Sequence, residues 1–271
     1  MMSYQCYIKC DDYYLFACAY LPHNYKRVVL LLQGYSHSMT DIDYFMTNIK
    51  NALLEQGYAV IQFDPYGHGD SDGQIEYFNY DILIKNISTV TSWIKQNIGR
   101  DIILFTRGLY TLAASDLQLC NMFIKSILLN PIKLTQQTYN EILLLLSDKD
   151  AIIDFNDWFS NIPEHQKDKV ESLFYSWGAK LKNLQGQYFN TDVFRNFLLR
   201  TYNRVDIDNG TNYYILSNQT NEFNINKCSG CLYTYDINYY YKYNALPRDP
   251  DWHFKLIQAV VNLCLQERSE Q

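Results

Sequence analysis

The sequence DIILFTRGLYTLAAS, which runs from Asp101 to Ser115, decides how the rest of the chain is interpreted. It begins with a short apolar run over residues 102–105, which is typical of a β-strand covered on both faces. Gly108 follows where the chain turns sharply, and glycine tolerates backbone angles that other residues avoid. The small apolar residues 112–114 then favour a helix. The stretch therefore predicts a buried strand, a tight turn at Gly108 and a helix, in that order.

Segments on either side of this stretch repeat the alternation of strand and helix. Apolar or alternating runs predict further strands at residues 4–9, 13–20, 27–33, 58–63, 126–130, 212–217 and 232–235. Apolar positions at helical spacing predict helices at residues 41–55, 78–98 and 251–266. Strands and helices that alternate at this spacing form parallel βαβ units. The predicted fold class is therefore α/β, with a mainly parallel central sheet flanked by helices.

Residues 133–204 interrupt this alternation and are predicted to be mostly helical. Within them, residues 164–183 carry apolar side chains at helical spacing. An insertion at this point of the chain would cover the carboxyl edge of the sheet. We therefore predict an α/β core over residues 1–132 and 205–271, with residues 133–204 inserted as a helical cap.

The composition limits the partners that the protein can have. The formal net charge is −6 and the pI is about 5.3, with no cluster of Lys or Arg, which excludes a nucleic-acid partner. No apolar run is long enough to span a membrane, and the first residues are polar where a signal peptide would be apolar. The seven cysteines fit a reducing compartment better than a disulfide framework. We expect a cytoplasmic protein.

Tyrosine is abundant, with 25 residues of 271 and a cluster over residues 233–243. Two interpretations stay open. Tyrosine favours strand faces, so the cluster can reflect sheet composition alone. The same side chains could instead line an aromatic pocket or a surface for a protein partner.

No cofactor or metal is predicted. Cys228-Ser-Gly-Cys231 has the spacing of half a zinc site, but a second pair at matching distance is absent from the sequence. Gly67-His68-Gly69 lacks the Lys-Ser/Thr of a phosphate-binding loop. His37 and His68 lie on loops expected near the carboxyl edge of the sheet, where either could line a site. We interpret both as plain loop residues.

Four segments follow one another in the order seen in a known superfamily: VVLLLQGYSHS (28–38), AVIQFDPYGHGDSDG (59–73), DIILFTRGLYTLAA (101–114) and DPDWHF (249–254). They resemble the α/β-hydrolase superfamily, and the likeness is greatest to its serine aminopeptidase or lysophospholipase-like branch. The most specific piece is DPYGHGDSDG, since that branch carries D-x-x-G-x-G-x-S after its fourth strand. The loop also has some likeness to exosortase-associated hydrolases. The resemblance implies the α/β-hydrolase fold with a helical cap.

In that superfamily, a G-x-S-x-G turn holds a nucleophilic serine between the central strand and a helix. Here the serine position is Gly108, and the two glycine positions are Thr106 and Tyr110. Gly108 suits the positive φ of the turn, so the backbone shape can persist. The resemblance thus implies an elbow without its nucleophile.

The resemblance also implies where the other site residues lie. Gly34 and Tyr35 match the H-G turn, so the backbone N–H groups of Tyr35 and Leu109 are the expected oxyanion donors. His253 matches the catalytic base. Asn221 stands at the position of the acid, with Glu222 adjacent.

Of the three triad positions, therefore, only the histidine is unchanged. Acyl transfer by a triad needs an oxygen or sulfur nucleophile, which Gly108 cannot supply. We expect a catalytically degenerate protein that binds a small apolar or acyl-type ligand, or that serves as an accessory protein in a biosynthetic pathway.

Two alternatives stay open. The protein could be an active enzyme, either a lyase or decarboxylase with His253 as the base, or an esterase- or thioesterase-like acyl hydrolase or transferase in which Ser36, Ser38 or Cys120 replaces the lost serine. It could also be an interaction module that uses its tyrosine-rich face.

Overall fold

The computed structural model describes residues 1–35, 38–39, 44–116, 121–129, 140, 152–168, 170, 188–190, 192, 195–196, 212–217, 231–235 and 250–266. The strands are β1 (Met2–Cys10), β2 (Tyr13–Leu21), β3 (Val28–Leu32), β4 (Ala59–Phe63), β5 (Ile102–Arg107), β6 (Lys125–Leu129), β7 (Ile152–Asp154), β8 (Tyr188–Asn190), β9 (Asn212–Ser217) and β10 (Cys231–Tyr235). The helices are α1 (Phe45–Glu55), α2 (Tyr80–Asn97), α3 (Phe155–Ser160) and α4 (Pro250–Leu265), with 3-10 helices η1 (Ile75–Tyr77) and η2 (Gly108–Ser115).

Eight of the described strands form one sheet, in the order β1-β2-β4-β3-β5-β6-β9-β10. The six strands from β4 to β10 in that order run parallel, whereas the β1–β2 hairpin joins β4 antiparallel. Every residue of β3, β4, β5 and β6 is buried, which explains why their sequences are mostly apolar, although β5 ends in a charged residue and β6 begins with one. The predicted α/β class with a mainly parallel sheet is confirmed.

Helices cover both faces of this sheet and form two separate cores. Alternate strand residues point to opposite faces, so Leu30 and Leu104 pack with α2, and Val29 and Ile103 pack with α1 and α4. Each large apolar side chain that is fully buried in these cores contributes roughly 1.5–3 kcal/mol to stability. The central strands are therefore held in place from both sides.

A buried lysine fixes the carboxyl end of α4. The Lys125 ammonium donates hydrogen bonds to the carbonyl oxygens of Leu263 (2.5 Å) and Gln266 (2.7 Å), and the Tyr58 hydroxyl donates to the carbonyl oxygen of Cys264 (2.8 Å). The last carbonyls of a helix have no partner within the helix and carry partial negative charge, so a cation stabilises them. The helix that contains His253 is thereby anchored to β6.

Two boundaries differ from the sequence prediction. Helix α2 begins at Tyr80 rather than at 78, because the Asn79 side chain accepts a hydrogen bond from the N–H of Ile82 and caps the first turn. Helix α1 is described from Phe45, and residues 41–43 of the predicted helix lie outside the described residues.

The segment predicted as a helical cap contains a short antiparallel pair of strands, β7 and β8, in which Ile153 lies opposite Phe189. Helix α3 follows β7 directly and is capped by the Asp154 carboxylate, which accepts hydrogen bonds from the N–H groups of Asn156 and Asp157. The aromatic residues of β8 favour a strand over a helix. The extent of the cap, residues 133–204, stays a prediction.

The loop over residues 64–73, which follows β4, is built around the buried carboxylate of Asp64. Its Oδ1 accepts hydrogen bonds from Gln33 Nε2 (3.1 Å) and the N–H of Met39 (2.6 Å), and its Oδ2 accepts one from the N–H of Asp70 (3.2 Å). Burial raises the pKa of this carboxyl above its ordinary value, while the donated hydrogen bonds oppose the rise. Asp64 therefore joins the loops that follow β3 and β4.

Gly69 leaves the space that the Asp64 carboxylate needs. Gly69 has φ +50°, and a Cβ added there would lie 2.0 Å from Asp64 Oδ2. The requirement for glycine in the D-x-x-G-x-G pattern is therefore steric as well as conformational.

We expect Gly69→Ala to destabilise the fold more than Gly57→Ala. Both glycines have positive φ, which costs a residue with a side chain about 1–2 kcal/mol. Gly57, at φ +78°, has no atom within 4 Å of an added Cβ, so only Gly69 adds a steric clash. The clash should cost a further 1–3 kcal/mol or so. Urea unfolding of both variants measures the difference, and equal losses would contradict this account of Asp64.

Candidate functional site

The chain turns sharply between β5 and η2, at Gly108. Gly108 has φ +57°, in the left-handed region, and the Thr111 hydroxyl donates a hydrogen bond to its carbonyl oxygen (2.7 Å). The predicted positive φ at this position is confirmed. The helix that follows is a 3-10 helix of eight residues. A strand, a left-handed residue and a helix thus follow one another, and the residue at the apex has no side chain.

Two buried side chains flank this apex. Thr106 and Tyr110 are both fully buried, at 0% exposure, where the resemblance places glycines. Tyr110 is the third residue of η2, and its ring packs against the ring of Phe78, with centroids 5.9 Å apart. The space beside the turn is therefore filled by an aromatic ring.

Tyr110 makes a direct contact with His68, which lies in the loop after β4. The Tyr110 hydroxyl is 3.1 Å from His68 Nε2, and His68 Nδ1 is 2.9 Å from the carbonyl oxygen of Tyr66. A carbonyl oxygen can only accept, so Nδ1 carries the proton of the neutral ring, and the Tyr110 hydroxyl donates to Nε2. His68 lies in a loop, as predicted, and its side chain is 4% exposed and hydrogen-bonded at both ring nitrogens.

Four rings form one buried cluster, which we call the aromatic cluster: Tyr35, His68, Phe78 and Tyr110. The ring centroids of His68 and Phe78 are 4.9 Å apart, those of Tyr35 and His68 are 5.8 Å apart, and those of Tyr35 and Phe78 are 6.0 Å apart. Tyr35, His68 and Tyr110 come from the segments that follow β3, β4 and β5. The cluster therefore ties together three neighbouring loops at the carboxyl edge of the sheet.

Burial in this cluster changes the ionisation of its members. It lowers the pKa of His68 to about 4, although the hydrogen bond to the Tyr66 carbonyl opposes the shift. It also raises the pKa values of Tyr35 and Tyr110 well above the ordinary value of a tyrosine. All three groups are neutral at pH 7, so the cluster places no net charge beside Gly108.

A buried positive charge does lie directly before the turn. Arg107, the last residue of β5, is 7% exposed, and its guanidinium carbon is 5.9 Å from the centroid of the Phe45 ring at the start of α1. A guanidinium over an aromatic face is stabilised by the quadrupole of the ring. Sequence reasoning missed this residue, although a charge at the end of an otherwise apolar strand was a signal that could have found it.

The segments that carry the predicted oxyanion donors lie on adjacent strands. Leu32 of β3 pairs with Thr106 of β5, so Gly34 and Tyr35, which follow β3, lie at the same sheet edge as Leu109, which follows β5. Leu109 is the second residue of η2, and the first N–H groups of a helix have no acceptor within it. The topology thus brings both segments to the edge at which Gly108 lies.

Gln33 holds the segment that contains Tyr35. Its Nε2 donates hydrogen bonds to the carbonyl oxygen of Phe63 (3.2 Å) and to Asp64 Oδ1 (3.1 Å), and the residue is fully buried. Gln33 stands where the H-G turn of the resembled superfamily has histidine. The glutamine amide therefore ties the end of β3 to the end of β4.

The predicted triad positions are described only in part. His253 is the fourth residue of α4, but its side chain is not described. Asn221, Glu222, Ser36, His37 and Cys120 lie outside the described residues. Among the described residues, no three His, Cys, Asp or Glu side chains come together as a metal site would require, and none of the helices is long and apolar enough to cross a membrane.

We expect His68 to make stability depend on pH below 6.5. The folded protein keeps His68 neutral down to about pH 4, whereas the unfolded chain protonates it near 6.5, so protons favour unfolding in that window. The contribution of neutral His68 to the free energy of unfolding is fully present above about pH 6.5. It falls by up to about 3 kcal/mol as the pH drops towards 4. His68→Gln, which keeps a hydrogen-bond acceptor but cannot be protonated, should lose less stability over this window in urea unfolding. Parallel pH profiles would contradict the assignment.

Comparisons with known proteins identify the fold by structure alone. No protein-family model and no curated protein sequence matches the chain. Among solved structures it resembles Est1E from Butyrivibrio proteoclasticus, with ferulic acid bound, at a TM-score of 0.63 and 17% identity, covering 96% of this chain and 98% of that one.

Two further similar structures are the α/β hydrolase GrgF from a Penicillium species and a soluble variant of monoglyceride lipase from Saccharomyces cerevisiae. GrgF has a TM-score of 0.59 and 13% identity, with 98% of this chain and 97% of that chain covered. The lipase has a TM-score of 0.56 and 14% identity, with 85% of both chains covered. The sheet order, the turn at Gly108 and these similarities together show that the chain has the α/β-hydrolase fold.

Proposed function

We propose that this protein is a catalytically silent member of the serine aminopeptidase or lysophospholipase-like branch, which binds a small apolar or acyl-type ligand without cleaving it by a serine mechanism. The observation that carries this proposal is the backbone of Gly108, which has the φ of an elbow residue, +57°, and no side chain. A triad needs an oxygen or sulfur atom at this position to attack a carbonyl carbon. Without it, only about 10³–10⁴-fold acceleration over water from binding and oxyanion stabilisation would remain.

The residues around Gly108 support a site whose loops are held together without a catalytic serine. The flanking position 110 is occupied by a buried tyrosine whose hydroxyl is paired with His68 at 3.1 Å. A specific partner for the replacement indicates that the three loops are still held in one arrangement.

In this proposal the ligand is recognised at its acyl end. The N–H groups of Tyr35 and Leu109 would donate hydrogen bonds to a carbonyl or carboxylate oxygen, as they would to an oxyanion. The predicted cap, residues 133–204, would cover the apolar part of the ligand. An accessory role in a biosynthetic pathway would use the same acyl recognition. We also propose a cytoplasmic location, which the free thiols of Cys6, Cys10, Cys18 and Cys264 support.

A second candidate is an enzyme that uses His253 as a general base. It is favoured by the position of His253 in the first turn of α4, whose carboxyl end is anchored by Lys125. Chemistry of this kind, such as elimination or decarboxylation, needs a base and an oxyanion site but no serine. Substitution of His253 separates it from the first candidate.

We expect the wild-type protein to resist labelling by a fluorophosphonate probe and to hydrolyse p-nitrophenyl butyrate no faster than buffer, because position 108 offers no nucleophile. Gly108→Ser serves as the matched control for entry of the probe into the site. Gel fluorescence and release of p-nitrophenolate are the measurements. Labelling of the wild type at Ser36, Ser38 or Cys120 by peptide mass spectrometry, or turnover that His253→Ala abolishes, would instead identify an active enzyme.

We expect acyl ligands to stabilise the folded protein. Octanoate and ferulic acid are suitable probes, since the second is bound in the similar Est1E structure. A ligand at about 100 times its Kd adds about 2.7 kcal/mol to the free energy of unfolding, which raises the Tm of a protein of this size by several degrees. Octan-1-ol, which lacks the carboxylate, should shift the Tm less. Equal shifts, or none with either acid, would contradict acyl recognition.

A further inference from the structure

We propose that Tyr110 and His68 are positioning residues, which hold the N–H groups of Tyr35 and Leu109 at a fixed separation for one carbonyl or carboxylate oxygen. This inference rests on the proposed function, whose acyl ligand presents such an oxygen, and adds to it the side chains that hold the two donors in place. The same role explains why a turn without a nucleophile keeps its shape.

Tyr110 links the elbow to the loop after β4. It follows Leu109 in η2, so the hydrogen bond that holds its side chain also restrains the backbone next to Leu109. Its hydroxyl is 3.1 Å from His68 Nε2, and His68 Nδ1 is 2.9 Å from the carbonyl oxygen of Tyr66. The N–H of Tyr66 in turn donates a hydrogen bond to Asn86 of α2 (2.8 Å). The elbow is therefore connected by hydrogen bonds to a long helix.

His68 also links the elbow to the loop after β3. The ring of Tyr35 lies edge-on to the ring of His68, with centroids 5.8 Å apart, and both rings contact Phe78. Tyr35 is fully buried, so its ring cannot turn unless its neighbours move. The aromatic cluster therefore restrains the Tyr35 N–H through the ring of the same residue, and the Leu109 N–H through the neighbouring Tyr110.

The presence of tyrosine at position 110, rather than another aromatic residue, is itself informative. A position that only needed apolar filling would be satisfied by phenylalanine, which brings no hydroxyl to bury. A buried hydroxyl without a partner is unfavourable, and here it donates to a neutral histidine that is itself 4% exposed. The pairing of two buried polar groups from different loops favours a role beyond packing, and networks of this kind specify one arrangement of the surrounding chain.

A reporter nucleophile at the apex tests this role. In Gly108→Cys, the introduced thiolate attacks the carbonyl carbon of p-nitrophenyl acetate. The S–C bond forms, the C–O bond to the leaving group breaks, and the products are an acetyl thioester at position 108, p-nitrophenolate and the proton that the thiol released to solvent when it ionised. This reaction passes through an oxyanion, whereas alkylation of the same thiolate by iodoacetamide displaces iodide without one. The ratio of the two rates therefore reports on the oxyanion donors.

We expect Tyr110→Phe in the Gly108→Cys background to lower the acetylation rate at least about tenfold, while the rate of iodoacetamide alkylation stays within about twofold. Loss of one donor typically costs about 10²–10³-fold, and a displaced donor should cost less. Mass spectrometry of the peptide that contains position 108 separates its reaction from that of the other cysteines. Tyr25→Phe is the matched control, since it removes a half-buried tyrosine hydroxyl that donates to the carbonyl oxygen of Ile98, between α2 and β5, and it should change neither rate.

Variants of His68 give a second test in the same background. His68→Gln keeps an acceptor for the Tyr110 hydroxyl and should retain most of the acetylation rate, whereas His68→Leu accepts no hydrogen bond and should lower the rate as Tyr110→Phe does. Circular dichroism shows which variants fold. The question is decided by comparing Tyr110→Phe with the Gly108→Cys parent, or His68→Leu with His68→Gln, provided that both members of the pair fold. The proposal is overturned if both rates fall together, if acetylation is unchanged, or if the introduced thiol is alkylated but never acetylated. Ligand binding by the wild type is measured separately, from the Tm shift. Failure of this proposal about Tyr110 and His68 therefore does not contradict the proposed function.

Discussion

The rest of the site depends on the hydrogen bonds that the buried carboxylate of Asp64 accepts. It accepts hydrogen bonds from Gln33, Met39 and Asp70, which lie in the segments that follow β3 and β4. A carboxylate in the interior is tolerated only when such donors offset its lost hydration. Once they do, the ends of two adjacent parallel strands are fixed relative to each other. The requirement for glycine at position 69 follows from the same group, because a side chain there would overlap it.

His68 follows Asp64 by four residues in the same loop, and its ring contacts the turn after β5. The neutral imidazole has a fixed tautomer because one of its nitrogens faces a backbone carbonyl. It can therefore accept from the Tyr110 hydroxyl, and the loops after β3, β4 and β5 become a single packed unit with Phe78. The geometry of the turn at Gly108 then depends on these buried side chains, since Gly108 itself has none.

The fold was largely predictable, since β3 and residues 102–105 of β5 are continuous apolar runs and Gly108 stands where a positive φ is required. The contact between His68 and Tyr110 was not predictable, because it joins residues 42 positions apart on two loops, where periodicity carries no information. The strands β7 and β8 were also missed, since three-residue strands show too little alternation to stand out from a helical pattern. Residues Asn221 and Glu222 were assigned by resemblance alone, and they stay predictions.

The electrostatics beside Gly108 differ between the aromatic cluster and the end of β5. The aromatic cluster is neutral at pH 7, because burial lowers the pKa of His68 and raises those of its tyrosines. Arg107 places a buried positive charge directly before Gly108. Its guanidinium lies over Phe45, which belongs to the core formed with α1 and α4, whereas the rings of Tyr35, Phe78 and Tyr110 belong to the core formed with α2.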